Sequence, residues 1–308
     1  MPRAFRICAV LFLALGAAPA VAQDTPAPFE SDAAIKADLL RELNALADAG
    51  KTRTAADLLA TRPASPPAVT LPAPATVALD GERLYRRLRE GTVILGGRYK
   101  CKKCTHWHLN TASGFLISTD GVVVTNRHVL ATGDLEAMAV MDGEGKVHAV
   151  LELLAQDETH DVALIRIAGK GLRPLPLAVK APAPGAEVAV LSHPNNRYWM
   201  YTTGHISRVA EWADSKTPDI RFPVLCITAA FAPGSSGAPV TDRAGNVLGI
   251  ATRIQPVQQA KSDDGHKPEK EGEAKPPAGE YTAMVIPMAV PVRWVKEAID
   301  AGKKPDER

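Results

Sequence analysis

From residue 91 to residue 256 the chain consists of short apolar segments separated by turn residues, and this pattern limits the fold more than any other feature. Turn sequences recur at 119–121 (Thr-Asp-Gly), 142–143 (Asp-Gly) and 243–246 (Arg-Ala-Gly-Asn). Many short strands at regular spacing are typical of an all-β barrel or sandwich. The strands we predict are 92–95, 114–118, 122–125, 137–141, 147–154, 162–167, 187–191, 204–209, 224–228, 238–241, 247–251 and 281–286. About a dozen strands suit an all-β fold of two antiparallel six-stranded β-barrels.

Helical patterns lie on either side of these strands. Leucines recur at helical spacing through residues 31–60, Ser31 is a suitable N-cap, and Gly50 divides the segment into two helices. A Pro-rich stretch, 63–74, reads as a linker, and a short helix at 81–89 leads into the strands. A closing helix is predicted at 292–301. We interpret the N-terminal helices as a docking or spacer element.

The first 22 residues have the pattern of a cleaved secretory signal. Two arginines and no acid precede an apolar run at 7–18, and the small residues Ala20 and Ala22, at the two positions that signal peptidase reads, suit cleavage after Ala22. The apolar run is shorter than the roughly 20 residues that a membrane span needs, which disfavours the alternative of an uncleaved anchor. We therefore expect an exported protein, periplasmic or secreted, with no stable membrane insertion.

These boundaries give a predicted domain division. Residues 1–22 are the signal peptide, 23–80 the helical segment with its linker, 81–302 the main domain and 303–308 a tail. A hydrophilic insertion at 255–280 lengthens one loop of the main domain. The formal net charge of +2 gives no indication of nucleic-acid binding, and we expect no cofactor. An oligomer is compatible with the sequence.

Three separated motifs carry groups suited to acyl transfer. A predicted hairpin, 113–127, ends at His128; Asp161 opens the apolar strand 162–167; and Ser236 lies in the small-residue loop Pro233-Gly-Ser-Ser-Gly-Ala-Pro239. A serine hydroxyl becomes a nucleophile when a neutral imidazole takes its proton, and a buried carboxylate holds the imidazole in the required tautomer. Glycines let backbone N–H groups turn toward a developing oxyanion.

Each motif alone has an ordinary structural explanation. His128 suits a packed histidine, Asp161 a turn or strand cap, and the Gly-Ser-Ser-Gly sequence a flexible turn. Together, in the order His, Asp, Ser and each at a strand boundary, they are much more specific, because this is the chain order of the chymotrypsin type.

With these motifs the chain resembles trypsin-like serine proteases of the HtrA/Deg type, whose fold is chymotrypsin-like. The matching stretches are 113–129, 161–167, 202–207 (Thr-Thr-Gly-His-Ile-Ser), 229–240, 246–251 and 285–287. The resemblance implies a serine endopeptidase acting on proteins or peptides, with His128 as general base, Asp161 as its orienting partner and Ser236 as nucleophile.

The resemblance also implies binding positions around the triad. The backbone N–H groups of Gly234 and Ser236 are expected to form the oxyanion hole. Residues 252–254 (Thr252, Arg253, Ile254) are expected to pair with the substrate main chain, with Thr252 in hydrogen-bond reach of Asp161. Ala230 and Phe231 would line an apolar substrate pocket without an acid, which favours a medium aliphatic side chain at the cleaved position.

Four features depart from the family pattern. Ala238 replaces the usual second glycine after the nucleophile, residues 255–280 form an insertion, and no PDZ domain is expected after the closing helix. Behaviour that depends on a PDZ domain is therefore not expected. The fourth departure is the segment Cys101-Lys-Lys-Cys104-Thr-His106-Trp-His108.

This cysteine segment has several interpretations. In an oxidising compartment a close pair, Cys101 and Cys104, most often forms a disulfide, which is the interpretation we favour. The alternatives are a zinc site that adds His106 and His108, and free or redox-active thiols. Cys226, in a predicted core strand, suits a buried inert thiol but would also be a partner for either cysteine.

Two functions of other classes remain as alternatives. One is a catalytically silent protease fold used as a binding module, which the presence of all three triad residues disfavours. The other is a metal-binding or redox protein that acts through Cys101 and Cys104.

Overall fold

The apolar segments form two closed antiparallel barrels in a computed structural model, which describes residues 29–61, 69–214, 217–258 and 282–301. Within these residues there are twelve strands: β1 (Thr92–Lys100), β2 (Trp107–Leu116), β3 (Val122–Thr125), β4 (Ala137–Met141), β5 (Val147–Asp157), β6 (Val162–Ile167), β7 (Glu187–Ser192), β8 (Met200–Asp214), β9 (Thr217–Ile227), β10 (Pro239–Thr241), β11 (Val247–Gln258) and β12 (Thr282–Pro291). The strand order is β1-β2-β3-β6-β5-β4 in the first barrel and β10-β11-β12-β9-β8-β7 in the second. The predicted fold of two six-stranded barrels is confirmed.

Strands of the first barrel are buried on both faces, which explains their runs of consecutive apolar residues. Val123 packs into one apolar cluster with Val93, whereas its neighbour Val124 packs into another with Ile94. Successive side chains of a strand point to opposite faces, so both faces of β1 and β3 are covered. The second of these clusters also includes residues of the other barrel, among them Leu191 and Val290.

Five helices accompany the barrels within the described residues: α1 (Asp32–Asp48), α2 (Ala55–Ala60), α3 (Gly81–Gly91), α4 (Arg127–Leu130) and α5 (Arg293–Asp300). α1 begins where the Ser31 side chain accepts the Ala34 N–H at 3.3 Å, and a turn with Gly50 at φ +65° follows its end. Both features agree with the sequence prediction.

Helix α1 docks on the first barrel through leucines one turn apart. Leu39 and Leu43 are fully buried in the cluster that contains Ile94. The approach is close, because a Cβ at Gly96 of β1 would lie 2.9 Å from Leu39 Cδ2. The helix is therefore packed against the barrel that carries β1.

The hairpin of β1 and β2 is longer than the apolar pattern predicted. Its register runs from Thr92 opposite Phe115 to Lys100 opposite Trp107. In the outer part of the hairpin, polar residues such as Arg98, Lys100 and Asn110 interrupt the apolar pattern. Strand ends predicted from apolar residues alone were therefore placed too early. The cysteine segment occupies the tip of this hairpin.

Several predicted features lie outside the described residues. The signal peptide, the tail at 303–308, and residues 259–280 of the predicted insertion are among them. The chain divides into a unit Met1–Glu30, of which only residues 29 and 30 are described, and a unit Ser31–Arg308 that holds every element named above. Among the described helices, none has the length and apolar character that crossing a membrane requires.

Substitution of Leu43 by Ala measures how firmly α1 is bound to the barrel. Because Leu43 is fully buried, its truncation should lower the free energy of unfolding by about 2–5 kcal/mol. Urea denaturation followed by circular dichroism measures the change, with the exposed Glu42→Ala on the same helix as control, expected within about 0.5 kcal/mol. Equal effects of the two substitutions would contradict the packing of α1.

Candidate active site

His128 lies in the short helix α4, directly after the buried strand β3. Burial of Val122, Val123 and Val124 fixes the end of the strand, and therefore the start of the helix. The His128 side chain is 45 % exposed, so its ring lies at the surface of the first barrel. An imidazole in this position is fixed at its backbone and accessible at its ring.

Asp161 occupies the turn between β5 and β6 in a left-handed backbone conformation, with φ +57°. Asp tolerates this region better than most residues, yet the conformation is strained and persists where surroundings determine it. Here the Asp161 carbonyl accepts the Asn126 side-chain amide at 2.9 Å and the Arg127 N–H at 3.3 Å. The backbone of Asp161 is thus tied to the segment that leads into His128.

The Asp161 carboxylate receives three hydrogen bonds. Oδ1 accepts the backbone N–H of His128 at 2.8 Å, and Oδ2 lies 2.7 Å from His128 Nδ1. Thr252 Oγ1 of β11 donates to Oδ2 at 2.9 Å. Burial alone would raise the pKa of Asp161, but the bonds from His128 and Thr252 outweigh it, and the pKa is lowered from its ordinary value. The carboxylate is therefore ionised at neutral pH and aligned on the His128 ring.

Ser236 comes from the second barrel, in the loop before β10, and its Oγ lies 3.0 Å from His128 Nε2. The structure thus brings together His128, Asp161 and Ser236, which are far apart in sequence. A hydrogen bond from His128 Nδ1–H to Asp161 leaves Nε2 as the acceptor that faces the hydroxyl. The arrangement can remove a proton from Ser236.

The loop around Ser236 is held by both barrels. Ser113 of β2 donates its backbone N–H to the Ser236 carbonyl at 2.9 Å, and its Oγ to the Gly234 carbonyl at 3.0 Å. On the other side, the Asn195 N–H donates to the Pro233 carbonyl at 2.7 Å. In a trans peptide the C=O and N–H point in opposite directions, so the Gly234 N–H points away from Asn195. Throughout the described ranges, neither this N–H nor that of Ser236 donates a hydrogen bond.

Two glycines make the close packing of this loop feasible. Gly234 has φ +98°, and a Cβ there would lie 2.6 Å from the His193 carbonyl oxygen. Gly237 has φ +90°, and a Cβ there would lie 2.1 Å from the Ser113 carbonyl oxygen. Ala238, which replaces the usual family glycine, is fully buried in the apolar cluster of the second barrel. The loop therefore needs glycine at 234 and 237, whereas a methyl fits at 238.

The predicted substrate-binding residues lie beside the triad on β11 and on the loop before Ser236. The Thr252 carbonyl oxygen is 3.3 Å from Ser236 Oγ, and Arg253 stacks over Trp212 at 4.5 Å. β10 pairs with β11 only as far as Ile250, so the edge of β11 beyond it has no strand partner among the described strands. Ala230 is exposed, and Phe231 packs partly on the core of the second barrel. This edge offers backbone groups to an extended peptide.

The cysteine segment lies at the hairpin tip, where the thiols of Cys101 and Cys104 are free with their sulfurs 3.4 Å apart. Backbone hydrogen bonds, first that of Lys103, lower the pKa of Cys101. The predicted disulfide is not formed in this structure and stays a prediction. Cys226 is buried among apolar residues of the second barrel, and burial raises the pKa of its thiol.

Sequence reasoning missed the residues that hold the Ser236 loop from a distance. Ser113 opened the first motif but was given no role, and Asn195 belonged to no motif. Both act on the loop partly through backbone groups, which leave no signature in residue types. Only the φ of +47° at Asn195, in a region that Asn tolerates, corresponds to a residue preference.

Comparisons with known proteins agree with this fold. Residues 112–250 match the family model of the trypsin-like peptidase domain. A probable periplasmic serine endoprotease DegP-like of Ectopseudomonas mendocina is 33% identical over 143 residues, covering 46% of this chain and 29% of the relative. The putative serine protease HhoA of Synechocystis is 26% identical over 220 residues, covering 63% of this chain and 54% of the relative.

The fold also matches a crystal structure of the serine endoprotease from Yersinia pestis, with a TM-score of 0.50 and 21% identity, over 73% of this chain and 67% of that one. Residues 112–250 are thus similar to a trypsin-like peptidase domain, the named relatives are serine proteases, and the predicted resemblance to the HtrA/Deg type is confirmed. The chain spans about a third of the length of the first curated relatives it matches, with 29% and 35% in two of them.

Substitution of Thr252 by Val removes one donor from the Asp161 carboxylate. A hydrogen bond to a charged group contributes about 1.5–3 kcal/mol, so part of this loss should appear as a roughly tenfold fall in kcat/KM on a protein substrate. The control is Thr241→Val, which removes a buried hydroxyl bonded to the Ala189 carbonyl and should leave kcat/KM within about twofold. Equal kcat/KM values in the two variants would show that Thr252 has no part in orienting Asp161.

Proposed function

We propose that the chain is a serine endopeptidase that hydrolyses peptide bonds of protein substrates through His128, Asp161 and Ser236. The observation that carries this proposal is the continuous hydrogen-bonded path from Asp161 Oδ2 to His128 at 2.7 Å and from His128 Nε2 to Ser236 Oγ at 3.0 Å. Both distances are within the range over which a base takes a proton from a nucleophile.

In the acylation step, Ser236 Oγ attacks the carbonyl carbon of the scissile bond while its proton passes to His128 Nε2. The imidazolium is stabilised by the ionised Asp161 carboxylate. The N–H groups of Gly234 and Ser236 donate to the developing oxyanion, since they have no other acceptor among the described residues. The amine leaves with the proton from His128, and an ester between Ser236 and the acyl group remains.

In the deacylation step, water takes the place of the amine. His128 accepts a proton from the water, the hydroxide attacks the ester, and the proton returns to Ser236 Oγ as the carboxylic acid leaves. No metal or other cofactor is required for this sequence, because each proton that leaves one group is accepted by His128 and later returned.

Substrate binding is proposed along the unpaired edge of β11. An extended peptide that adds to this edge places main-chain groups against residues 252–254 and the scissile carbonyl near Ser236. The loop residues Ala230 and Phe231 offer an apolar wall with no acid, which supports a medium aliphatic side chain at the cleaved position.

We further propose export by the N-terminal signal, with the periplasm as the site of action. The pattern of residues 1–22 supports export, and the printed names of several relatives describe periplasmic endoproteases. The domain division predicted from the sequence, with the protease domain at 81–302, is part of the same proposal. A catalytically silent binding module is less well supported, because it would not need a connected Asp-His-Ser path.

Substitution of Ser236 by Ala tests the nucleophile. The variant should fold normally, fail to react with a fluorophosphonate probe and lose casein hydrolysis, because no activated hydroxyl remains. The control is Ser235→Ala, whose buried hydroxyl faces Ser192 Oγ at 3.0 Å, and which should retain probe labelling. Proteolysis by the Ser236→Ala protein at the wild-type rate would refute the proposal.

Substitution of Asp161 by Asn tests the orienting carboxylate. The amide favours the wrong tautomer of His128, so turnover should fall by roughly 10⁴. The control is Asp142→Asn in another His–Asp contact of the first barrel, where Asp142 Oδ2 lies 2.7 Å from His148 Nε2; turnover per folded molecule should stay within about twofold. A loss of less than about tenfold in Asp161→Asn would assign the orienting role to another carboxylate.

The lowered pKa of Asp161 predicts a pH dependence of the free energy of unfolding. The pKa of Asp161 is lowered in the folded state, so its ionised form stabilises the fold above its ordinary pKa of about 4. This contribution is lost as pH falls through the lower folded-state pKa. The stability difference between the wild type and Asp161→Asn should therefore shrink on acidification below about pH 4, which urea denaturation at several pH values measures.

A further inference from the structure

The tip of the β1–β2 hairpin brings three metal-binding side chains together. The donor atoms of Cys101, Cys104 and His108 all lie within 4.8 Å of one another. Cys104 Sγ is 3.4 Å from Cys101 Sγ and 3.0 Å from His108 Nε2. Neither cysteine takes part in the chemistry proposed above, so this cluster has no role yet.

The turn that joins the two cysteines is accessible from solvent. Cys104 is exposed and Cys101 is half-buried, and the exposed Lys102 and Lys103 stand between them. Positive charge beside a cysteine favours the thiolate, the form in which cysteine binds a metal.

The strand pairs next to the tip hold the third donor, His108, in place. His108 is opposite Tyr99 in the strand register, and the two rings stack with centroids 5.3 Å apart at an interplanar angle of 29°. One residue further along each strand, Lys100 lies over the ring of Trp107 at 4.4 Å. The His108 ring is therefore oriented by its neighbours before any ligand binds, as second-shell contacts orient the histidines of metal sites.

We propose that Cys101 Sγ, Cys104 Sγ and His108 Nε2 bind one Zn²⁺ ion, with water in the fourth position. Tetrahedral zinc with Zn–S bonds of about 2.3 Å sets two sulfurs about 3.8 Å apart, so the observed 3.4 Å needs only a small opening. A disulfide needs the sulfurs to close to about 2.05 Å, a larger movement. Two thiolates and an imidazole suit Zn²⁺, whereas hard cations such as Mg²⁺ and Ca²⁺ prefer oxygen ligands. His106 is exposed and outside the cluster of three donors.

The site is connected by β2 to the catalytic loop. From His108 the strand passes Thr111, which donates to Asn196 Oδ1 at 2.8 Å, and reaches Ser113, which bonds the carbonyls of Gly234 and Ser236. Five residues of strand span roughly 17 Å. A metal that fixes the start of β2 would therefore restrain the strand that supports the nucleophile. This consequence for turnover, unlike the metal site, rests on the proposed function.

The metal site is tested on the mature protein purified without chelator, by metal analysis together with a count of thiols in the denatured protein. We expect one zinc per chain and free thiols at Cys101, Cys104 and Cys226. Because changes in the second shell alone weaken metal binding by about 10–100-fold, removal of a ligand in Cys104→Ser or His108→Ala should weaken zinc binding by more than ~100-fold. His106→Ala and Cys226→Ser are the matched controls and should keep the metal.

Cobalt titration of the metal-free protein provides a second measurement that does not depend on activity. Co²⁺ bound tetrahedrally by thiolates should give intense d–d bands and sulfur-to-metal charge-transfer bands. Cys104→Ser should lose these bands, while its circular dichroism spectrum should stay that of a folded protein. Purified protein without zinc and with the mass loss of two hydrogens would overturn the proposal in favour of the disulfide. Zinc that persists in both Cys104→Ser and His108→Ala would overturn it as well.

The link to catalysis is tested separately by removing and restoring zinc. Turnover of casein should fall several-fold on chelation and recover when Zn²⁺ is returned, whereas His106→Ala should behave as the wild type. Unchanged turnover in the metal-free protein would overturn this link. Failure of the proposed function itself would appear in Ser236→Ala, which does not touch the metal site.

Discussion

The largely buried carboxylate of Asp161 is the group on which the arrangement of the candidate site depends. An ionised carboxylate inside a protein is unfavourable unless hydrogen bonds replace its water. Here the backbone and ring of His128 supply two of these bonds, and Thr252 from the other barrel supplies the third. These bonds fix the orientation of the His128 ring and join β11 of the second barrel to the first barrel. The geometry of the triad is therefore a consequence of solvating one carboxylate with protein groups.

A second set of contacts shapes the loop that carries Ser236. His193 is completely buried and uncharged: burial lowers its pKa to about 3, its Nε2–H donates to the Val93 carbonyl at 3.1 Å, and its Nδ1 accepts the Trp199 N–H. The carbonyl of the same residue lies where a side chain at Gly234 would be. A neutral histidine thus connects β1 of the first barrel to the loop that presents the proposed oxyanion donors.

The N-terminal helix belongs to the same network. The Tyr198 N–H donates to Asp32 Oδ1 at 2.9 Å, at the first residue of α1, and Arg98 of β1 donates to Asn44 of that helix at 3.0 Å. The helix therefore contacts both the segment that holds Pro233 and the hairpin whose tip carries the thiol cluster. The docking of α1 therefore connects the barrels to both proposed sites, the Ser236 loop and the thiol cluster.

The sequence alone determined the fold class and the residues that could do chemistry. Consecutive apolar residues such as Val122-Val-Val between turns require strands buried on two faces, and Ser31 and Gly50 define the ends of α1, because these signals are local. The sequence could not determine the distance from His128 to Ser236, which depends on how the two barrels pack. It also could not reveal Ser113 or Asn195, which hold the Ser236 loop partly through backbone groups. For Cys101 and Cys104 the spacing allowed a disulfide, a metal or free thiols, and only the tertiary structure distinguished His108, which lies beside the two thiols, from His106, which does not. Local structure follows from the residue types of one segment, whereas long-range geometry depends on packing between segments that are distant in the chain.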